Sequence, residues 1–85
     1  MEKKILFLCT GNSCRSQIAE AISKKEIQDV SFESAGTNPE AVNSHAIQSL
    51  KDIGIDISNN MSKKIEFNDI EKYNFIITLC GDARD

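Results

Sequence analysis

The sequence lacks a CxxC pair, a long apolar run, a block of charge of either sign and, but for Pro39, proline. Its three cysteines, Cys9, Cys14 and Cys80, are odd in number, and the single histidine, His45, has no zinc-ligand spacing around it. A disulfide scaffold and a metal site are both unattractive on these grounds, and free thiols in a reducing compartment, the cytoplasm, are expected. No stretch approaches the roughly 20 apolar residues that span a bilayer, and the apolar stretch near the N-terminus is shorter than a secretory signal. The net charge of -3 arises from acidic and basic residues that are interspersed, so there is no electrostatic reason for a nucleic-acid or anionic membrane partner. Repeats, low-complexity tracts and flexible linkers are absent too. A chain of 85 residues has room for one small domain, 1–85, and not for a second.

What is present alternates between strand-like and helix-like patterns. Ile5, Leu6, Phe7 and Leu8 form a continuous apolar run, as expected of a strand covered on both faces in a parallel sheet. Residues 14–27 carry Ile18, Ala21 and Ile22 at helical spacing, opposite a polar face with Glu20, Lys24 and Lys25. Residues 30–34 read as a second strand, followed by a turn at Ala35, Gly36 and Thr37 in which glycine would supply an otherwise costly backbone geometry. Asn38 as a cap before Pro39 and Glu40 predicts that a second helix starts there, with Val42, Ala46, Leu50 and Ile53 as its apolar stripe and Gly54 as its stop. Residues 57–62 carry no clear pattern. Phe67 and Ile70 suggest a short third helix, and residues 75–79 read as another buried strand ending at Cys80. A β-α-β-α order implies right-handed crossovers and an open parallel sheet flanked by helices, an α/β fold.

The stretch FLCTGNSCRS, residues 7–16, stands at the junction of the first strand and first helix. In open parallel sheets ligands gather at the carboxyl ends of strands, where helix N-termini offer N–H donors. Thr10, Gly11, Asn12, Ser13 and Cys14 form a loop short enough for its backbone N–H groups to converge on one tetrahedral oxyanion, with Arg15 as a bidentate clamp. Helix dipole and guanidinium together favour a thiolate at Cys9, a ready nucleophile. Ser16 is placed to donate a hydrogen bond to that thiolate, and Asn12 to hold a left-handed turn.

The run from Cys9 to Ser16 resembles the C-x5-R-[ST] phosphate loop of low-molecular-weight protein tyrosine phosphatases. Ser34 to Thr37 and Gly54 to Ser58 resemble that family's following segments, so the likeness extends over essentially the whole chain. One branch of the family is the thioredoxin-coupled arsenate reductases, and Ile77 to Asp82 is similar to the segment carrying their second redox cysteine. The resemblance implies that Cys9 attacks arsenate held by the loop, that Cys80 then attacks Cys9, and that disulfide formation releases arsenite. It implies thioredoxin as reductant and no organic cofactor. It also implies parts that do not occur among these residues: a third redox cysteine slightly beyond the second, an Asp-Pro loop with a general acid, a further strand and a final helix. The domain is accordingly expected to be incomplete at its C-terminus and too short for full turnover. The family's reductases can hold a potassium ion, and Asn12, Glu20 and Ser34 stand at matching positions. Lys63 occupies the place of an acidic ligand, so no metal is predicted.

Other readings compete at each residue. A cysteine at a strand end is often a small buried hydrophobe, and Arg15 could pair with Glu20, but the spacing between them favours nucleophile and clamp. For Cys14 the packing role is favoured over a redox role with Cys9. Cys80 gains a redox role only from the resemblance. His45 belongs on a solvated helix flank. The function classes left are an arsenate reductase, a phosphatase hydrolysing phosphomonoesters through a phosphocysteine, and a non-catalytic oxyanion-binding remnant.

Overall fold

In a computed structural model, which describes residues 3–79, the first apolar run becomes the middle of a sheet. Strand β1 (Lys3–Cys9) pairs in parallel with β2 (Val30–Gly36) on one side and with β3 (Phe75–Thr78) on the other, giving the order β2-β1-β3. Parallel neighbours require crossovers. Helix α1 (Arg15–Glu26) makes the first, and α2 (Ser44–Lys51) with a 3-10 helix (Phe67–Lys72) lies along the second. A central strand has neighbours on both edges and cover on its faces, which is why β1 tolerates no polar alternation. Leu6 and Phe7 are buried, and the Phe7 ring stacks on Phe32 of β2 with centroids 5.9 Å apart. Ala46, Leu50 and Ile57 form a second buried cluster, packed by Ile18 and Ala21 of α1 and by Val42 and Ile55.

Four features differ from the sequence expectation. Helix α2 begins at Ser44 rather than near Pro39, with Asn43 as cap: its Oδ1 accepts from the N–H groups of His45 at 2.7 Å and Ala46 at 3.3 Å. Residues 38–43 are drawn instead against the loop after β1. The N–H groups of Asn38, Glu40 and Asn43 donate to the carbonyls of Thr10, Gly11 and Ser13 at 2.8, 2.9 and 2.7 Å. Pro39, which has no N–H to place, falls between two of these donors. The helix also ends earlier, at Lys51, so Ile53 lies past it and is 52% exposed. Gly54, at φ 86°, does close the helical segment.

Gly36 is the second difference. It sits inside β2, paired with Cys9, and not in a turn of positive φ. The reason for glycine is close approach: a Cβ there would stand 2.5 Å from the Thr10 carbonyl oxygen and 2.9 Å from the Asn12 nitrogen.

Thirdly, Glu20 is not on a solvated face. It is 7% exposed, accepting from the Ser34 hydroxyl of β2 and from Lys24 Nζ at 2.6 Å, whereas Ile22, expected inside, is exposed. A buried carboxylate needs partners, and the i, i+4 lysine and the neighbouring strand supply them.

Finally, β3 is not a buried strand. Phe75 is 54% exposed and Ile76 and Ile77 are exposed as well, because among the described elements α1 packs across β1 and β2 and leaves the faces of β3 without comparable cover. His45 is exposed on α2, as expected.

Candidate active site

The site is built by backbone direction before any side chain acts. Between β1 and α1 the carbonyl oxygens of five consecutive residues are tied outward. Cys9 O accepts from Thr37 N at 3.1 Å, those of Thr10, Gly11 and Ser13 accept from residues 38–43, and Asn12 O accepts from Ser62 Oγ at 2.7 Å and Gln17 Nε2 at 3.1 Å. Across a trans peptide the N–H of the next residue points the opposite way, and no cis peptide interrupts the described residues. The N–H groups that follow those carbonyls are therefore turned to the other, concave side. The Asn12 N–H reveals which side that is, since it donates to Cys9 Sγ at 3.0 Å. Such a row of N–H groups running into a helix N-terminus is a nest for an anion. No acidic residue occupies the first turn of α1 to compete for the positive end of its dipole.

Above the sulfur is a cavity of about 110 Å³ lined by Cys9, Thr10, Gly11, Ser13, Cys14, Arg15 and Leu79. It is smaller than the roughly 300–1,000 Å³ of pockets for drug-sized ligands and suits one small tetrahedral ion. A larger groove, about 370 Å³, runs between residues 39–42 and 60–62 and contains no thiol or guanidinium.

Beneath the cavity, hydrogen-bond polarity is fixed by one backbone group. Lys63 N–H can only donate, and it donates to Asn12 Oδ1 at 2.7 Å. The other end of that amide, Nδ2, therefore donates to Ser16 Oγ at 2.7 Å. The Ser16 hydroxyl proton is left to point at Cys9 Sγ, 2.9 Å away. A thiolate at Cys9 would thus accept from Asn12 N–H and Ser16 O–H together. Asn12 adopts φ 49°, the left-handed region that asparagine enters more readily than most residues.

The structure accordingly brings Cys9, Asn12 and Ser16 into one hydrogen-bonded group and places Thr10, Gly11, Ser13, Cys14 and Arg15 around the cavity. Asn12 is fully buried below that ring. Cys14 caps α1 without a side-chain hydrogen bond and packs on the second core cluster. Cys80 lies outside the described residues; Leu79, which precedes it, is at the cavity wall and donates its N–H to Leu8 O at 2.7 Å. Sequence reasoning missed Gln17, Ser62 and the Lys63 backbone, all of which grip Asn12. The one available signal was Gln17, a polar side chain one turn before Ala21 on the face that packs inward.

The residues that match a potassium site do not fit one. Lys24 already neutralises the Glu20 carboxylate, Asn12 Oδ1 is engaged by Lys63 N–H, and Lys63 itself brings a cation. Among the described residues no group of three or more His, Cys, Asp or Glu side chains is placed to hold a metal ion.

A thiol at the end of a parallel strand, beneath a nest of N–H groups and beside an arginine, is the site of a phosphatase-like α/β protein. The chain belongs to the low molecular weight phosphotyrosine protein phosphatase family, whose profile matches residues 4–85. Within it, the chain is 48% identical over 83 residues to an arsenate reductase of Staphylococcus aureus, covering 96% of this chain and 63% of that protein. It superposes on a solved arsenate reductase in the phosphate binding state with TM-score 0.86 and 38% identity, covering 95% of this chain and 63% of that one. A thioredoxin-dependent arsenate reductase of Corynebacterium glutamicum matches with TM-score 0.82 and 32% identity, over 96% of this chain and 43% of the other. The chain thus spans less than two thirds of the length of the curated relatives it matches. Among the described residues no helix is long and apolar enough to cross a membrane.

Proposed function

We propose that residues 1–85 form one phosphatase-like domain of an arsenate reductase, in which the loop 10–15 binds arsenate and Cys9 attacks it. The observation that carries this reading is the convergence on Cys9 Sγ of the Asn12 N–H and the Ser16 hydroxyl beneath an anion-sized cavity. The Cys9 thiolate forms an S–As bond and one arsenic oxygen leaves as water after protonation. A second thiolate, Cys80, attacks Cys9 Sγ; the S–S bond forms, the S–As bond breaks, and its electron pair stays on arsenic, which departs as arsenite. Two thiols are oxidised and arsenic gains two electrons. The Arg15 guanidinium offsets the oxyanion's negative charge. Thioredoxin is the reductant that this reading assigns to the disulfide, and the cytoplasm its compartment.

The likeness to proteins named arsenate reductase supports reduction over hydrolysis, and Cys80 of the sequence offers the second thiol that reduction needs. The family name favours a second reading, hydrolysis of phosphomonoesters through a phosphocysteine. Incubating the reduced chain with arsenate and mapping thiols by mass spectrometry separates the two. The reductase reading expects one arsenite and one Cys9–Cys80 disulfide per chain. Phosphate release from an aryl phosphate with no thiol consumed, and no oxidation by arsenate, would establish the phosphatase instead.

A further inference from the structure

Gln17 is a fully buried amide in the first turn of α1. Burying an amide without partners is costly, and here every partner belongs to one task. Its Nε2 donates to Asn12 O at 3.1 Å and reaches Met61 O at 3.3 Å, while its Oε1 accepts from Asn60 Nδ2 at 3.2 Å. Ser62 Oγ donates to the same Asn12 oxygen at 2.7 Å. One carbonyl of the loop is therefore held by two side chains, from α1 and from residues 60–63, whereas the carbonyls of Thr10, Gly11 and Ser13 are held by backbone donors.

The peptide between residues 12 and 13 is the one at risk. Its carbonyl is held by side chains where those of its neighbours are held by backbone, and rotating this peptide about its flanking bonds, ψ of Asn12 and φ of Ser13, needs little movement of either Cα. A rotated peptide would aim the Asn12 carbonyl oxygen, instead of the Ser13 N–H, at a bound anion. We infer that Gln17 and Ser62 are positioning residues that lock this peptide, so that the Ser13 N–H is presented to the oxyanion. The inference rests on the oxyanion reading of the loop and is independent of whether the bound ion is reduced or hydrolysed. Neither side chain touches the ion; both act through Asn12.

Sulfate titration of the ¹⁵N-labelled full chain tests it, with Gln17→Met, Ser62→Ala and Ser62→Thr beside the parent. Gln17→Met keeps the volume and removes the donor; Ser62→Thr keeps the hydroxyl. The parent is expected to bind sulfate with the Ser13 amide among its most shifted signals. Gln17→Met and Ser62→Ala should each weaken binding roughly tenfold, the scale of one lost buried hydrogen bond, and Ser62→Thr should restore it to within about twofold of the parent. The Ser13 amide of the ligand-free donor-less variants should move further than the amides of Leu50 and Ile57 in the core. Parental affinity in both donor-less variants would overturn the lock, as would a fall shared equally by Ser62→Thr. A parent that binds no sulfate overturns the oxyanion site itself, a different failure. Should Gln17→Met not fold, Ser62→Ala against Ser62→Thr decides the question alone.

Discussion

Gly36 and Thr10 approach so closely that a methyl group on Gly36 would lie 2.5 Å from the Thr10 carbonyl oxygen. Both partners are backbone, so neither can swing aside. Gly36→Ala must push β2 away from the loop or push the loop out of its nest, and either motion disturbs the Asn12 N–H that meets Cys9 Sγ. We expect a loss of about 1–3 kcal/mol of stability together with loss of sulfate binding, measured by chemical denaturation and titration. Parental sulfate affinity in this variant would mean that the loop does not depend on the contact.

Cys9 should be the thiol alkylated first at neutral pH, since it alone among the described cysteines has two hydrogen-bond donors on its sulfur. Ser16→Ala removes one of them and should slow that alkylation by roughly tenfold, read by mass spectrometry of timed iodoacetamide reactions. First modification at Cys14 would contradict the assignment.

Oxyanion binding to the folded chain alone should raise its stability by about 2.7 kcal/mol at a hundredfold excess of sulfate over its dissociation constant. Arg15→Ala is expected to remove most of that gain, because Arg15, at the start of α1, lines the cavity above Cys9. Equal sulfate stabilisation in parent and variant, followed by calorimetry, would exclude the guanidinium from the site.

Tyr73 binds the edge strand's approach to β2: its hydroxyl donates to Glu33 Oε1 at 2.7 Å. Burial first, then this hydrogen bond and the charge of Glu33, push the phenol well above its ordinary value of 10.0. A group whose folded-state pKa is raised contributes fully below the unfolded value and loses that contribution as pH rises. Stability supplied by Tyr73 should therefore be intact at pH 7–9 and fall from about pH 10 upward. Tyr73→Phe should cost about 1 kcal/mol near neutrality and flatten the alkaline decline, as urea midpoints across this range would record. An unchanged alkaline decline in the variant would assign it to other groups.

Much of the architecture was legible because it depends on neighbours in the chain. The run from Ile5 to Leu8 indicated a covered parallel strand, the spacing of Ile18 and Ala21 a helix, and Gly54 a helix stop; each follows from local periodicity or backbone freedom. The loop was legible for the same reason, as small residues, a cysteine and an arginine are contiguous. Residues 57–62, which carried no pattern, proved to include Ile57 in the core and Asn60 and Ser62 against the loop. A segment that serves one oxygen or one backbone group of a distant residue need not repeat at any period.

By itself, then, the sequence determined an α/β order of elements and put Cys9, the small loop behind it and Arg15, the residues of the proposed chemistry, side by side in the chain. Only tertiary structure decided how those residues are aimed. The start of α2 moved to Ser44 because Asn38, Glu40 and Asn43 are needed as donors to loop carbonyls, a demand that Pro39 and its cap signals do not express. Glu20 turned inward because Ser34 and Lys24 meet it there, and β3 remained exposed because among the described elements α1 covers β1 and β2 instead. Gln17 and Gly36 acquired their roles from Asn12 and Thr10, contacts invisible to any local pattern. Hydrogen-bond direction is a property of pairs that meet only on folding, and the orientation of the five loop peptides, on which the proposed chemistry rests, is set by such pairs.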